Sequence, residues 1–232
     1  MVVIHTNTGL ANQRETAGWL KQGFERHGLT VQITADKYAP GDLHVVQGPH
    51  YCYQEWLGKP NVLWLNRGFY GDARFDLSIG WLNRDGSRDF RNADKTEPNG
   101  TLPPMKAQKT RRETCIVFTD YGQRPESLMD YAAQHFSPWQ TVHRPHPAEY
   151  PERSFAPLAG VWPHRDVAIG HASTVLVEAV LNGLHAIALD PRHVCNDMEE
   201  DRESWLIRLS WAMWNHTEII NGNFWSHLNA AT

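Results

Sequence analysis

The chain has 232 residues, of which 41% are hydrophobic, and a formal net charge of −4; that length suits one large α/β domain or two smaller ones with separate cores. No apolar run approaches the roughly 20 residues that cross a bilayer, so a membrane-spanning helix is excluded. The charge balance argues against a protein held on nucleic acid by bulk electrostatics alone. The start, Met1-Val2-Val3-Ile4-His5, reads as a buried strand and lacks the basic lead and cleavage site of a secretory signal. Cys52, Cys115 and Cys195 stand far apart in no metal-like pairing, which predicts reduced, buried thiols and a cytoplasmic protein.

In chain order, the first half alternates short apolar runs with helical patterning, the sign of βαβ units feeding a parallel sheet. Val2 to Thr6 predicts a first strand. Asn12 to His27 places Ala17, Leu20 and Phe24 at helical spacing and stops at Gly28, a residue suited to closing a helix. Leu29 to Thr34, Leu43 to Gln47 and Val62 to Leu65 follow as strands between turn signals, and Leu77 to Leu82 adds another. From Asn83 to Arg112 the pattern gives way to turn residues and a Lys/Arg-rich run, which predicts a linker that is solvated or carries a binding loop. Eleven of the 22 basic residues fall between Lys59 and Arg112, so a basic face on the first half is expected.

A second alternating series begins at Thr114. Cys115 to Thr119, Thr141 to Arg144, Val167 to Ile169 and Ala186 to Leu189 predict strands. Pro125 to Phe136 and Ser173 to Asn182 predict helices, the second closed by Gly183. The tail from Trp205 to Leu228 is rich in Trp and Leu, and Gly222 breaks it into two helices.

In open parallel sheets ligands bind beyond the carboxyl ends of strands, where helix starts present unpaired amides. The run Val167-Ala168-Ile169-Gly170-His171-Ala172-Ser173-Thr174 has that form. Gly170 lets backbone approach a ligand, Ser173 or Thr174 can cap the helix or donate to a phosphate, and Glu178 shares a helical face with Thr174, where a carboxylate can take both hydroxyls of a ribose. The segment from Asp166 to Pro191 resembles the nucleotide-binding motif of glycosyltransferases with two facing Rossmann-like domains, the GT-B class. The resemblance implies that this turn and helix, His171 included, hold the donor diphosphate and that Glu178 holds the ribose. His143-Arg144-Pro145-His146-Pro147 resembles the Arg-x-His-Pro turn of capsule-type and Kdo-type sugar transferases, which implies that Arg144 or His146 faces phosphate. The loop Thr119-Asp120-Tyr121-Gly122-Gln123-Arg124 is a third phosphate candidate, through Gly122 and Arg124. The second glutamate that many such enzymes carry downstream has no counterpart at the right spacing, so ribose recognition rests on Glu178.

Glycosyl transfer with inversion needs a base for the acceptor hydroxyl. Asn66-Arg67-Gly68-Phe69-Tyr70-Gly71-Asp72 concentrates polar, aromatic and flexible residues after a strand, which makes Asp72 the first candidate base, with His5 and Asp120 as rivals. Asn7, Arg67 and Tyr70 are the candidate acceptor contacts. Neither a His-Glu-x-x-His motif, paired cysteines nor a P-loop occurs, so no cofactor beyond the nucleotide-sugar donor is required, although magnesium on the diphosphate is compatible. The tail resembles that of small bacteriophage-type transferases, some of which glucosylate hydroxymethylated pyrimidines in DNA. That likeness implies UDP-glucose as donor, 5-hydroxymethylcytosine in double-stranded DNA as acceptor, and the host cytoplasm as location. The basic residues interleaved with Trp64, Phe69, Tyr70, Phe75, Trp81 and Phe90 would grip phosphates and stack on a flipped base.

The expected architecture is therefore α/β, with a Rossmann-like acceptor domain over 1–105, a Rossmann-like donor domain over 106–204 facing it across a cleft, and helices from 205 to 232 packing over both. The competing readings are a nucleotide-sugar 2-epimerase and a non-catalytic nucleotide- or nucleic-acid-binding module.

Overall fold

A computed structural model describes residues 1–7, 9–48, 53–71, 76–120, 122–150, 152–198 and 201–230. Asp72, Phe75, Cys52 and Tyr121, named above, lie outside these described residues. The chain forms two compact units, one of Met1–Leu102 with Arg202–Thr232 and the other of Pro103–Asp201.

In the first unit β1 (Val2–His5) is flanked in parallel by β2 (Val31–Thr34) and β3 (Leu43–Gln47), and β4 (Val62–Arg67) continues parallel to β3. The helix α1 (Ala11–Glu25) makes the β1-to-β2 crossover and buries Ala17, Leu20 and Phe24 on the sheet, as the spacing predicts. The order then departs from an all-parallel sheet. β5 (Asp76–Leu82) runs antiparallel to β4, and β6 (Arg88–Asp89) runs antiparallel to β5. The connection from 68 to 75 is too short to hold a crossover helix, so the chain can only return alongside the strand it has left.

The second unit is a four-stranded sheet, all parallel, in the order β10-β9-β7-β8, formed by β7 (Cys115–Phe118), β8 (Thr141–Arg144), β9 (Val167–Gly170) and β10 (His185–Ala188). The connecting helices are α2 (Glu126–His135), the short α3 (Leu158–Val161) and α4 (Val175–Leu181). Buried Cys115, Val117, Val167 and Ile169 pack with Leu128 and Ala132 of α2. Cys115 and Cys195 are buried free thiols.

The tail departs from the two helices expected. It forms α5 (Arg202–Ser210), the strand β11 (Met213–Asn215), α6 (His216–Asn221) and α7 (Asn223–Leu228), and it groups with the first unit. β11 pairs antiparallel with β5, while Ile219, Phe224, Trp225 and Leu228 share one core with β1, β3, β4, β5 and α1. Apolar side chains recurring from Trp214 to Leu228 need a sheet face to bury, and the α1 side of the first sheet provides it.

The stretch from 83 to 112 is a largely exposed strap, with only Phe90 buried, that is tied down at several points. Asn92 Nδ2 donates to Arg208 O, Asn99 N to Ser210 Oγ, and Trp211 Nε1 to Glu97 O, each at 2.8 Å. Further on, Lys106 N donates to Leu181 O and Lys109 N to Gly183 O, each at 2.8 Å. Lys109 Nζ donates to the carbonyls of Trp162, Pro163 and Arg165. Hydrogen bonds to backbone groups thus hold a segment with little apolar patterning.

On the sheet face away from α1, His5 is fully buried: Nδ1 donates to Asp36 O at 3.0 Å and Nε2 accepts from His44 Nδ1 at 2.9 Å, with Trp56 packed at 4.6 Å. Burial pulls its pKa from 6.5 down to about 4.

Three outcomes follow from this packing. Gly183 has φ +86, and an added Cβ would meet Ala107 O at 2.4 Å; Gly183→Ala is expected to cost about 2–4 kcal/mol in urea unfolding. Gly18→Ala, on an open face of α1 with nothing within 4 Å, is expected to gain about 0.5–1 kcal/mol. Because His5 binds a proton less readily folded than unfolded, stability is full above pH 6.5 and is lost as pH falls from 6.5 towards 4, by up to about 3 kcal/mol. Urea midpoints across that range are expected to fall less steeply in His5→Gln, and an unchanged slope would contradict the assignment.

Candidate functional site

The connectivity of the second sheet creates its most distinctive point. From β7 the chain crosses to β8 on one side, then returns to place β9 on the other side. The loops after β7 and β9 therefore leave the same edge side by side in opposite directions, the arrangement that opens a ligand crevice in parallel sheets. Here Ala172 N donates to Asp120 Oδ2 at 3.3 Å, joining the two loops directly.

The loop after β9 is pinned from behind. Leu189 N donates to Gly170 O at 2.9 Å and Asp190 N to His171 O at 3.0 Å. The His193 ring lies 3.1 Å from Ser173 O through Nε2, and the Asp190 carboxylate takes bonds from the Arg192 guanidinium at 2.8 and 2.6 Å. That pairing, with the Arg192 amide, holds Asp190 below the usual carboxylate range. A Cβ on Gly170 would come within 3.3 Å of Leu176, so this glycine serves helix–strand packing.

The helix α4 begins at Val175, two residues later than the sequence pattern suggests, and Thr174 caps it without a side-chain hydrogen bond. Leu176 N donates to Ser173 O and Val177 N to Thr174 O. The amides of Ser173, Thr174 and Val175 take no acceptor among the described residues.

Glu178 lies in the first turn of α4, where its Oε1 accepts from Trp162 Nε1 at 3.1 Å. Trp162 is buried and rests on Phe118 with ring centres 5.8 Å apart. The Oε2 atom of Glu178 accepts no bond from a described residue. Arg144, at the carboxyl end of β8, donates from Nη1 to Ala156 O at 2.8 Å and lies over the Phe155 ring at 5.4 Å. Burial draws its guanidinium below the ordinary value, and the nearby Glu178 carboxylate opposes that shift. Carboxylate and guanidinium thus stand in electrostatic contact, each with bonding capacity left.

The remaining donor-side candidates divide differently. His146 Nδ1 accepts from Ala148 N at 3.2 Å and caps the turn Pro147–Glu149. Gly122, at φ +73, gives its amide to Glu149 Oε1 at 2.7 Å, and Asp120 N gives its own to Gln123 Oε1 at 3.1 Å. That loop is closed by carboxylate and amide side chains, a poor phosphate cradle, and Arg124 is exposed beside it. The sequence pattern did not single out Trp162, Glu149 or His193. Nothing in their spacing marks them, because their role is to hold other residues in place.

In the first unit Asn7 lies just beyond the carboxyl end of β1, Arg67 is the last residue of β4, and Tyr70 lies beyond it. Asn7 N donates to Gln13 Oε1 at 2.9 Å, and Thr6 Oγ1 donates to Gln47 Oε1 at 3.0 Å, so a buried polar knot closes the turn at the switch between β1 and β3. Arg67 is exposed. Tyr70 is part-buried, and burial together with the carboxylates of Asp76 and Glu218 keeps its hydroxyl protonated well above the usual range. His5 has both ring nitrogens engaged. Among the described residues no cluster of three or more His, Cys, Asp or Glu is arranged to hold a metal ion, and no helix is long and apolar enough to cross a membrane.

Several cations of the basic stretch are engaged within the fold. Lys59 lies 4.1 Å over the Trp56 ring, Lys95 is 5.1 Å from Trp211, Arg91 pairs with Asp89 at 3.1 Å, and Lys109 is bound to carbonyls. Trp64, Phe69 and Phe90 are buried, and Trp81 Nε1 donates to Leu228 O. These rings are committed to the core and are not free to stack on a base.

No protein-family model matches the chain, and no curated protein matches it in sequence. Among solved structures it is similar to the β-Kdo 2,7 transferase of KpsC from Thermosulfurimonas dismutans, over 98% of this chain and 98% of that one, at 12% identity and a TM-score of 0.52. The β-Kdo 2,4 transferase of the same organism's KpsC aligns over 96% and 97% at 13% identity, with a TM-score of 0.46. The first likeness is one of fold: this chain has an α/β, Rossmann-like architecture of the kind found in a glycosyltransferase.

Proposed function

We propose that the protein is a glycosyltransferase whose second unit binds the nucleotide end of an activated sugar. The observation that carries this reading is the Glu178 carboxylate, held on one oxygen by Trp162 and beside Arg144, next to the β7/β9 switch. Its second oxygen suits two adjacent ribose hydroxyls. Arg144 suits phosphate, since a guanidinium makes paired bonds to phosphate oxygens. The amides of Ser173 to Val175 add donors of the same sign, and Asp120, already bonded to Ala172 N, directs an anion past that amide towards them.

The chemistry assigned to these groups is charge neutralisation. As the acceptor oxygen bonds to the anomeric carbon, the bond from that carbon to the donor phosphate breaks, and the departing nucleotide gathers charge that Arg144 and the amides stabilise. The acceptor proton passes to a base, for which Asp72 remains the candidate on sequence grounds. The first unit is assigned the acceptor, with Asn7, Arg67 and Tyr70 as contacts. The likeness in fold to a Kdo transferase supports sugar transfer in general. The DNA acceptor loses its footing, because the cations and rings that motivated it are largely used inside the fold.

Thermal unfolding with UDP, UDP-glucose and a Kdo-bearing nucleotide donor tests the reading. A donor at 100 times its dissociation constant is expected to stabilise by about 2.7 kcal/mol. Glu178→Ala and Arg144→Ala are each expected to weaken that binding by about 10- to 100-fold. Silence towards every nucleotide, or equal binding by Glu178→Ala, would overturn the proposal. Label transferred to hydroxymethylated duplex DNA but not to any saccharide would reverse the acceptor assignment.

A further inference from the structure

Arg88 is an arginine in an unusual electrostatic position. It stands on β6 opposite Leu82, part-buried, with its guanidinium 5.2 Å from the Phe69 ring centre and 4.9 Å from that of Phe90. Both rings are buried. Nη1 donates to Ser78 Oγ at 2.8 Å, and that hydroxyl donates onward to Arg67 O at 3.1 Å. Among the described residues no carboxylate pairs with Arg88. Asp89, its chain neighbour, is paired with Arg91, and Asp85 accepts from Ser87. Aromatic faces and a neutral hydroxyl offset part of the cost of holding a cation away from water, but they supply no counter-charge.

Ser78 is the cross-strand partner of Asn66, so the two side chains share the sheet face on which Arg88 lies. Gly48 lets the backbone pass so closely that an added Cβ would stand 2.5 Å from Asn66 Oδ1. The carboxyl end of β4, where Asn66 and Arg67 stand, is also the edge at which parallel sheets receive ligands. Burial lowers the Arg88 pKa only to about 10, so the group remains cationic at neutral pH.

We propose that Arg88 anchors an oxyanion-binding subsite in the first unit, taking a carboxylate or phosphate group of a ligand on the guanidinium edge that Ser78 leaves open. The site stands independently of glycosyl transfer, since it needs only an anionic ligand. If that ligand is the acceptor of the proposed transferase, the enzyme selects acidic acceptors over neutral ones.

The test is a titration of the intact chain with inorganic phosphate and with acetate in the low-millimolar range, where general salting effects are small, followed by thermal unfolding. Wild type is expected to gain stability saturably with at least one anion, and the anion that acts names the group recognised. Arg88→Met is expected to lose that response while being at least as stable as wild type in phosphate-free chloride buffer, because it removes an unpaired cation. Arg88→Lys, which keeps the charge but not the paired donors, is expected to bind about tenfold more weakly. Destabilisation of Arg88→Met with the anion response intact would make Arg88 a structural residue and overturn the proposal. So would the absence of a saturable response to either anion in wild type, or equal binding by Arg88→Lys should the methionine variant not fold.

Discussion

The reversal in the direction of strand addition between the parallel strands β7 and β9 is the constraint on which the functional reading depends. Parallel strands need crossovers, and the order β10-β9-β7-β8 lets two crossovers diverge from adjacent strands at one point only. Everything assigned to the donor lies at or near that point: the loop after β9, the first turn of α4, and the end of β8. The Asp120–Ala172 bond shows that the two diverging loops are held together by the protein itself. An incoming anion therefore meets a preformed surface, which limits the ordering it must impose.

Supporting residues give that surface its shape. Trp162 is buried by packing and uses its indole hydrogen to orient Glu178, so a core residue fixes the direction of a polar one. Lys109 ties the carbonyls around Trp162 to the strap that crosses Gly183. Charged side chains that look available in the sequence are thus spent on holding backbone. In the first unit Lys59 and Lys95 lie over tryptophan rings and Arg91 pairs with Asp89.

How far the sequence could be read depended on the range of the forces involved. Strands β1, β3 and β7 to β10 and the helices α1 and α2 follow from apolar periodicity within short windows. Gly183 was recognisable because its left-handed conformation closes a helix, although its close approach to Ala107 was not. The strands β6 and β11 were invisible: Arg88–Asp89 and Met213–Asn215 carry no alternation and become strands only because β5 offers them an open edge. Glu178 and Arg144 were found through motif resemblance, whereas their partner Trp162 was not, since a pairing between positions 16 residues apart leaves no periodic trace. The bond from the Gly122 amide to Glu149 was hidden for a similar reason, since the two stand 27 positions apart.

The most direct test of the central claim is a crystal structure of the protein soaked with a nucleoside diphosphate. The account predicts the diphosphate against Arg144 and the amides of Ser173 to Val175, with the ribose on the free oxygen of Glu178 and the Trp162 bond intact. A nucleotide bound elsewhere in the molecule, leaving Glu178 and Arg144 without contact to it, would contradict it.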